Sequence, residues 1–299
     1  MELGFVGTGN MGNPMALHLI EAGHALRVCD LRPEATASLE AAGARRVETP
    51  AESARGAAAV FLSLPKPVDV EQVVLGAGGV LEGLGRDGVI IDMTTNSPSV
   101  VRRLAEATRA EGVELLDAPV SGGVGGARRG TLAVMVGGDR ETFERCEPLL
   151  RAVGSNVFHL GDVGAGNVAK LVNNMLFFTN MMGAQEGLVL GARAGVDPML
   201  LWEVVKASSG NSWAWEMAMR AVLHDRLSPP SFTVDLARKD VGLANELASE
   251  LDVPLTLGAA TESLLERYRA EGFAAEDAMA TIRALEERTG TKVRGTWRD

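Results

Sequence analysis

Lys170 stands alone. In GDVGAGNVAKLVNNMLFF (residues 161–178) the charge before it is Asp162 and the charge after it is Glu186; everything between is small, apolar or amide. Burial disfavours an ammonium, so this one either reaches water along its own stem or has a task that offsets the cost. Residues three, four and seven apart share a helix face. That places Asn167, Lys170 and Asn174 in one polar stripe, with Asn173 beside it and Val168, Val172, Met175 and Thr179 opposite. Such a stripe can orient a polar substrate, and an uncharged amine in it can take and return a proton.

Two glycine-rich turns add binding chemistry. GTGNMG comprises Gly7, Thr8, Gly9, Asn10, Met11 and Gly12; it follows the apolar run ELGFV and opens the helical pattern NPMALHLIEAG. Asp30 ends the next strand pattern, HALRVCD, at the distance expected of a dinucleotide fingerprint. Gly7 suits the tight turn, Gly9 the close approach of backbone to pyrophosphate, and Gly12 the contact of helix with strand. Asp30 would accept from ribose hydroxyls and repel a 2′-phosphate, which favours NAD; Arg32 could instead hold that phosphate, which leaves NADP open. The second turn lies in DAPVSGGVGGARRGTL, where Ser121, Gly122 and Gly123 follow a buried strand pattern. Consecutive glycines there expose N–H groups that suit a carboxylate, and a plain loop fits the spacing equally well.

The elements that must hold these residues fall in two blocks. Strand patterns alternate with helical ones up to SNVFHLGD, the signature of parallel βαβ units. From Val163 onward the periodicity is helical, with breaks near GVDP (195–198), LSPPSF (227–232), LDVP (251–254) and AEGFAAED (270–277). The expected architecture is an α/β dinucleotide-binding domain over residues 1–162 and an all-helical domain over 163–299, with the Lys170 helix as the joint. The tail TGTKVRGTWRD reads as polar and loose.

Composition narrows the partners. The 299 residues carry a formal net charge of −10, which argues against nucleic acid or an anionic membrane. Val163–Gln185 is long enough to tempt a membrane reading, but its lysine and four asparagines argue for a soluble chain. The two cysteines, Cys29 and Cys146, and the four histidines match no metal or disulfide spacing. The chain opens directly on a strand pattern, so a cytoplasmic protein without a metal is expected.

GFVGTGNMGNPMA, DAPVSGGVGGARRGTL, GAGNVAKLVNN and ARKDVGLA resemble, in order and over nearly the whole chain, the motifs of the β-hydroxyacid dehydrogenases, above all the 3-hydroxyisobutyrate dehydrogenase-like members. The resemblance implies a Rossmann domain joined to a helical domain by a long helix, and assembly into dimers or tetramers. It implies Lys170 as the catalytic residue, Ser121, Gly122 and Gly123 at a substrate carboxylate, and Asn174 near the substrate. It puts Lys239, Leu64, Pro65 and Thr95 beside the cofactor, with Trp213 and Phe232 as weaker candidates for the pocket wall. The reaction implied is reversible hydride transfer between NAD(P) and a small β-hydroxy acid. Reduction of a small aldehyde or oxo acid is the alternative, and a dinucleotide-binding reader without catalysis is the alternative from another class.

Overall fold

The computed structural model describes residues 1–294. They form two compact units, Met1–Lys170 and the part from Leu171 onward.

In the first unit, nine strands make one sheet among the described residues: β1 (Glu2–Val6), β2 (Ala25–Cys29), β3 (Arg45–Arg46), β4 (Ala59–Leu62), β5 (Val89–Asp92), β6 (Glu114–Asp117), β7 (Val120–Ser121), β8 (Ala133–Gly137) and β9 (Asn156–Gly161). The order β3-β2-β1-β4-β5-β6 is parallel throughout, the doubly wound arrangement of a dinucleotide-binding fold. β4 and β5 are buried at every residue, as strands covered on both faces must be. Phe5, Phe61, Ile91 and Leu116 pack on one face; Val60, Leu62, Ile90 and Leu115 pack on the other. The far end departs from simple alternation. β8 runs antiparallel to β6 and β7, and β9 runs parallel to β8.

The expected punctuation is borne out. The first helix, Gly12–Glu21, stops at Gly23, whose φ of +85° lets its N–H turn back to the Ile20 carbonyl at 2.8 Å. A 29-residue helix, Ala165–Arg193, contains the boundary between the units, immediately after Lys170. Beyond it the second unit is helical, and its principal helices are Pro198–Lys206, Val234–Glu250, Thr256–Tyr268 and Ile282–Thr289. All four anticipated breaks occur: Asp197 caps Pro198–Lys206, Thr233 caps Val234–Glu250, Asp252 turns at φ +55°, and Gly272 turns at φ +99°. The core here gathers Phe178, Met181, Trp202, Trp215 and Tyr268. No helix among the described residues is long and apolar enough to cross a membrane.

The tail needs a correction. Val293 is buried and donates its N–H to the Glu286 carboxylate at 2.9 Å; Arg294 pairs with Glu286 at 2.6 Å and Asp225 at 2.9 Å. The chain is therefore anchored through Arg294, and residues 295–299 lie outside the described residues.

Candidate active site

The strand order reverses about β1, so the glycine loop after β1 lies beside the loop after β4, at the place where open α/β sheets bind ligands. The three glycines have different reasons to be there. Gly7 sits at φ +88°, and a Cβ on it would strike the Ser63 carbonyl oxygen. A Cβ on Gly12 would run into the Gly7 carbonyl oxygen and come within 3.1 Å of Phe5. Those two are demanded by the fold. Gly9 is not: its nearest neighbour would be the Arg32 guanidinium at 3.6 Å, ordinary contact. Open backbone at Gly9, exposed Asn10 and half-buried Met11 lead into the free N–H groups of helix Gly12–Glu21. This surface fits the pyrophosphate of a dinucleotide.

Asp30 follows β2 and is tied to that loop. Its Oδ2 accepts the Thr8 N–H at 2.8 Å and its Oδ1 accepts the Arg32 N–H at 2.9 Å. Oδ2 also accepts the Thr8 hydroxyl at 3.4 Å, so Oδ1 is the oxygen that keeps a second lone pair for a ribose hydroxyl. The Arg32 Nε lies 3.6 Å from Oδ1, with the side chain 63% exposed, so a cation stands beside the carboxylate that should select against a 2′-phosphate. After β4, Leu64 is half-buried and Pro65 exposed; the Leu64 N–H donates to the Thr94 hydroxyl at 3.0 Å. Thr95 is half-buried, whereas Thr94 is turned into the interior.

The second turn leaves the sheet at Ser121, the last residue of β7, and becomes the helix Gly123–Arg129. Gly122 has φ +131° and Gly123 φ +61°, both in the left-handed region, and both are exposed. A Cβ on Gly123 would meet nothing within 4 Å, so the space over it is open.

Lys170 is only 7% exposed, and the turn before it is fixed by a buried polar network. Asp117, the end of β6, accepts the Gly164 N–H at 2.7 Å, the Asn167 N–H at 2.7 Å and the Asn167 side-chain amide at 3.2 Å. The Asn167 Oδ1 accepts the Asn96 N–H at 2.7 Å. Asn96 in turn donates from its side chain to Asp92 at 3.3 Å. Desolvation pushes the Asp92 carboxyl up to about 6, against the opposing pull of hydrogen bonds from Thr94 and Asn96. Desolvation raises the Asp117 carboxyl as well. The stripe expected to face a substrate is thus partly structural: the Asn167 amide is taken up by Asn96 and Asp117. It is also the buried side of the helix, since Asn167 and Asn174 are within 5% of full burial while Val172 is 47% and Leu176 51% exposed.

In the second unit, the Asn174 amide donates to Asp240 Oδ2 at 2.5 Å, and Lys239 pairs with Asp240 Oδ1 at 3.0 Å. The buried Asp240 therefore organises two of the expected site residues. Phe232 packs into the core against Phe178, whereas Trp213 is 69% exposed. Asp92, Asn96, Asp117, Asn167 and Asp240 carry the support that spacing alone misses. The available signal was an acid closing an apolar strand, in VIID and ELLD, and the acid adjoining the lysine in RKD. Both cysteines are buried thiols, and burial pushes Cys29 up to about 11, which leaves it a poor nucleophile.

Comparison with known proteins places this architecture. Residues 2–161 match the NAD binding domain of 6-phosphogluconate dehydrogenase, and residues 164–285 match the NAD-binding family of NADP-dependent 3-hydroxyisobutyrate dehydrogenase. The chain is 43% identical to a 3-hydroxyisobutyrate dehydrogenase of Pseudomonas aeruginosa, over 89% of this chain and 92% of that one. It is 39% identical to a 2-(hydroxymethyl)glutarate dehydrogenase of Eubacterium barkeri, over 99% and 98%. Among solved structures, the Mycobacterium tuberculosis 3-hydroxyisobutyrate dehydrogenase with L-serine superposes with a TM-score of 0.84 at 31% identity, covering 95% of this chain and 98% of that one. The chain belongs to the 3-hydroxyisobutyrate dehydrogenase family and is an NAD(P)-dependent oxidoreductase of hydroxy acids.

Proposed function

We propose that the substrates are 2-substituted 3-hydroxypropanoates, oxidised at the primary carbinol, with Lys170 as the proton-transfer residue. The substrate class rests on the relatives. 3-Hydroxyisobutyrate, 2-(hydroxymethyl)glutarate and L-serine, named for three of them, share one unit: a CH₂OH on the carbon that bears the carboxylate. They differ only in the third substituent, which is methyl, carboxyethyl or ammonium.

Bound NAD(P) supplies the hydride acceptor. The residues of this chain do the rest. Gly9 and the start of helix Gly12–Glu21 receive the pyrophosphate, Asp30 takes the ribose hydroxyls, and Leu64, Pro65, Thr95 and Lys239 line the cofactor. Ser121, Gly122 and Gly123 hold the substrate carboxylate with a hydroxyl and backbone N–H groups, and Asn174 contributes from the next turn of the Lys170 helix. Lys170 hydrogen-bonds the carbinol oxygen, takes its proton during oxidation and returns it during reduction. The observation that carries this reading is a lysine 7% exposed, in the unit that also holds both glycine turns, with its helix start fixed by buried hydrogen bonds. The division of labour extends to domains: residues 1–162 bind the dinucleotide, and residues 163–299 serve substrate selection and homo-oligomer formation. A cytoplasmic location belongs to the same reading and agrees with two unpaired buried thiols.

The test is a panel of 3-hydroxypropanoates with methyl, amino and carboxyethyl substituents, assayed with NAD and NADP by nicotinamide absorbance. Their methyl esters at the shared carboxylate serve as controls. Acids should turn over, esters should not, and Lys170→Met should lower kcat by roughly 10²–10⁴-fold with cofactor affinity unchanged. Esters that react as fast as acids would remove the carboxylate site. A fully active Lys170→Met enzyme would remove the lysine from the chemistry.

A further inference from the structure

We propose that Asp117 and Asn167 are positioning residues. Together they fix Lys170 relative to the Ser121–Gly123 turn, so that the proton-transfer group and the carboxylate-binding turn share one rigid mount. The inference rests on the roles of Lys170 and Ser121–Gly123 set out above.

The geometry begins at the end of β6. Asp117 is fully buried, and its two oxygens receive three N–H groups from the turn that starts helix Ala165–Arg193. Carboxylates are favoured at a helix start because its first N–H groups lack intrahelical partners and carry partial positive charge. Asn167 then couples this cap to a second strand end. Its side chain donates to Asp117 and accepts from the Asn96 N–H, so reversing the amide would break both bonds at once. Lys170 follows Asn167 by three residues, on the same helix face and about 4.5 Å further along the axis.

Glycines let the mount close. A Cβ on Gly166 would lie 2.7 Å from the Asp117 carbonyl oxygen and against that of Met135. A Cβ on Gly137 would enter the Asp117 carboxylate and lie 2.8 Å from the Ala165 nitrogen. The first helical turn therefore rests directly on the backbone of β6 and β8.

The same Asp117 leads the chain into the second turn. The next residue, Ala118, donates its N–H to the Asp92 carbonyl at 2.7 Å, and the Pro119 carbonyl accepts the Met135 N–H at 3.0 Å. Val120 and Ser121 pair with Val134 and Ala133. From Asp117 to Ser121 there is no unsupported stretch in which the turn could drift relative to the helix.

A displacement of about 1 Å in a reacting group can cost on the order of 10²-fold in rate. Removing the Asn167 side chain should therefore lower kcat with 3-hydroxyisobutyrate by roughly 10–100-fold. NAD affinity should fall less than kcat: Asn96 adjoins Thr95, but the Gly7–Gly12 loop and Asp30 have no part in the network.

The deciding measurement is a double-mutant cycle with Lys170→Ala, read as kcat, with melting temperature and NAD affinity recorded for each protein. If Asn167 acts through Lys170, the double variant loses no more than Lys170→Ala alone. If the losses multiply, or if Asn167→Ala keeps the wild-type kcat, the inference fails. A Lys170→Ala enzyme with wild-type kcat would overturn the functional reading itself, and so the two failures are distinguishable. Should Asn167→Ala not fold, Asn167→Ser takes its place in the same cycle with Lys170→Ala. Losses that multiply, or a wild-type kcat in Asn167→Ser, would overturn the inference.

Discussion

Alanine at Gly9 and alanine at Gly12 should separate cofactor approach from folding. Gly9 is not in the left-handed region, and a Cβ there would meet only the tip of Arg32, at 3.6 Å. Without cofactor, Gly9→Ala has no clash to relieve and restricts only the unfolded chain, a gain of about 0.4–1 kcal/mol. For a chain of this size that raises the melting temperature by roughly 0.6–1.6 °C. With cofactor, the new methyl stands where the pyrophosphate must come. Overfilling a close-packed contact costs about 1–3 kcal/mol, and with about 1.4 kcal/mol per tenfold NAD should bind some 5–150 times more weakly. Gly12→Ala behaves differently, because its Cβ runs into the Gly7 carbonyl oxygen whether or not cofactor is present. It should lose about 1–3 kcal/mol of stability in the free protein as well. Thermal melts with and without NAD, together with a fluorescence titration of NAD, read both quantities. A Gly9→Ala protein that binds NAD as tightly as wild type would refute the placement of the pyrophosphate. One that melts several degrees lower would refute the account of why glycine stands there.

Three further outcomes follow from the site. Asp30→Ala should narrow the preference for NAD over NADP, measured as a ratio of kcat/KM values, because Arg32 is left without its carboxylate; an unchanged ratio would show that neither residue reads the 2′ position. Gly123→Ala should raise KM for the hydroxy acid more than it lowers NAD affinity, since its φ of +61° strains any L side chain and the turn must shift; equal losses would detach the turn from substrate binding. The buried carboxyl of Asp92, held near 6, keeps its proton at pH values where the unfolded chain has released it. Its contribution to stability is therefore complete below about pH 4 and falls as pH rises toward 6, by about 3 kcal/mol at 1.36 kcal/mol per pH unit. The difference in stability between wild type and Asp92→Asn across pH 4–7 should show that slope, and a flat difference would mean that Asp92 stays ionised throughout.

The sequence made the local part of this structure legible. Strand runs, the glycine fingerprint with Asp30, the stop at Gly23 and the four helical breaks all follow from periodicity and turn chemistry within a few residues. The glycines were also readable, although the reasons for them divide: Gly7 and Gly12 answer to Ser63 and to each other, whereas no neighbour in the fold requires Gly9. Long-range pairing was not legible. Asn167 looks like one more amide beside Lys170, and its partners Asp117 and Asn96 lie 50 and 71 residues away. Asp240 was in plain view next to Lys239, but no spacing says that it also holds Asn174. The tail reads as loose because Val293 and Arg294 find Glu286 and Asp225 only after the helices have packed.

Lys170 closes the first compact unit, and each hydrogen bond described around the start of its helix comes from that unit. The lysine proposed to move the proton is thus held by the dinucleotide-binding half of the chain, although the helix that bears it runs on for 23 residues past that point. On that proposal, changes after Leu171 that spare Asn174 and Lys239 leave the support of the proton-transfer group in place. If substrate selection lies in the second unit, as proposed, a lineage could change its hydroxy acid through residues after Leu171 without passing through an intermediate that has lost the support of Lys170. Directed evolution for new hydroxy acids should begin there, and chimaeras of relatives joined at residues 170 and 171 would keep the mount of Lys170 from one parent while varying the helical unit of the other.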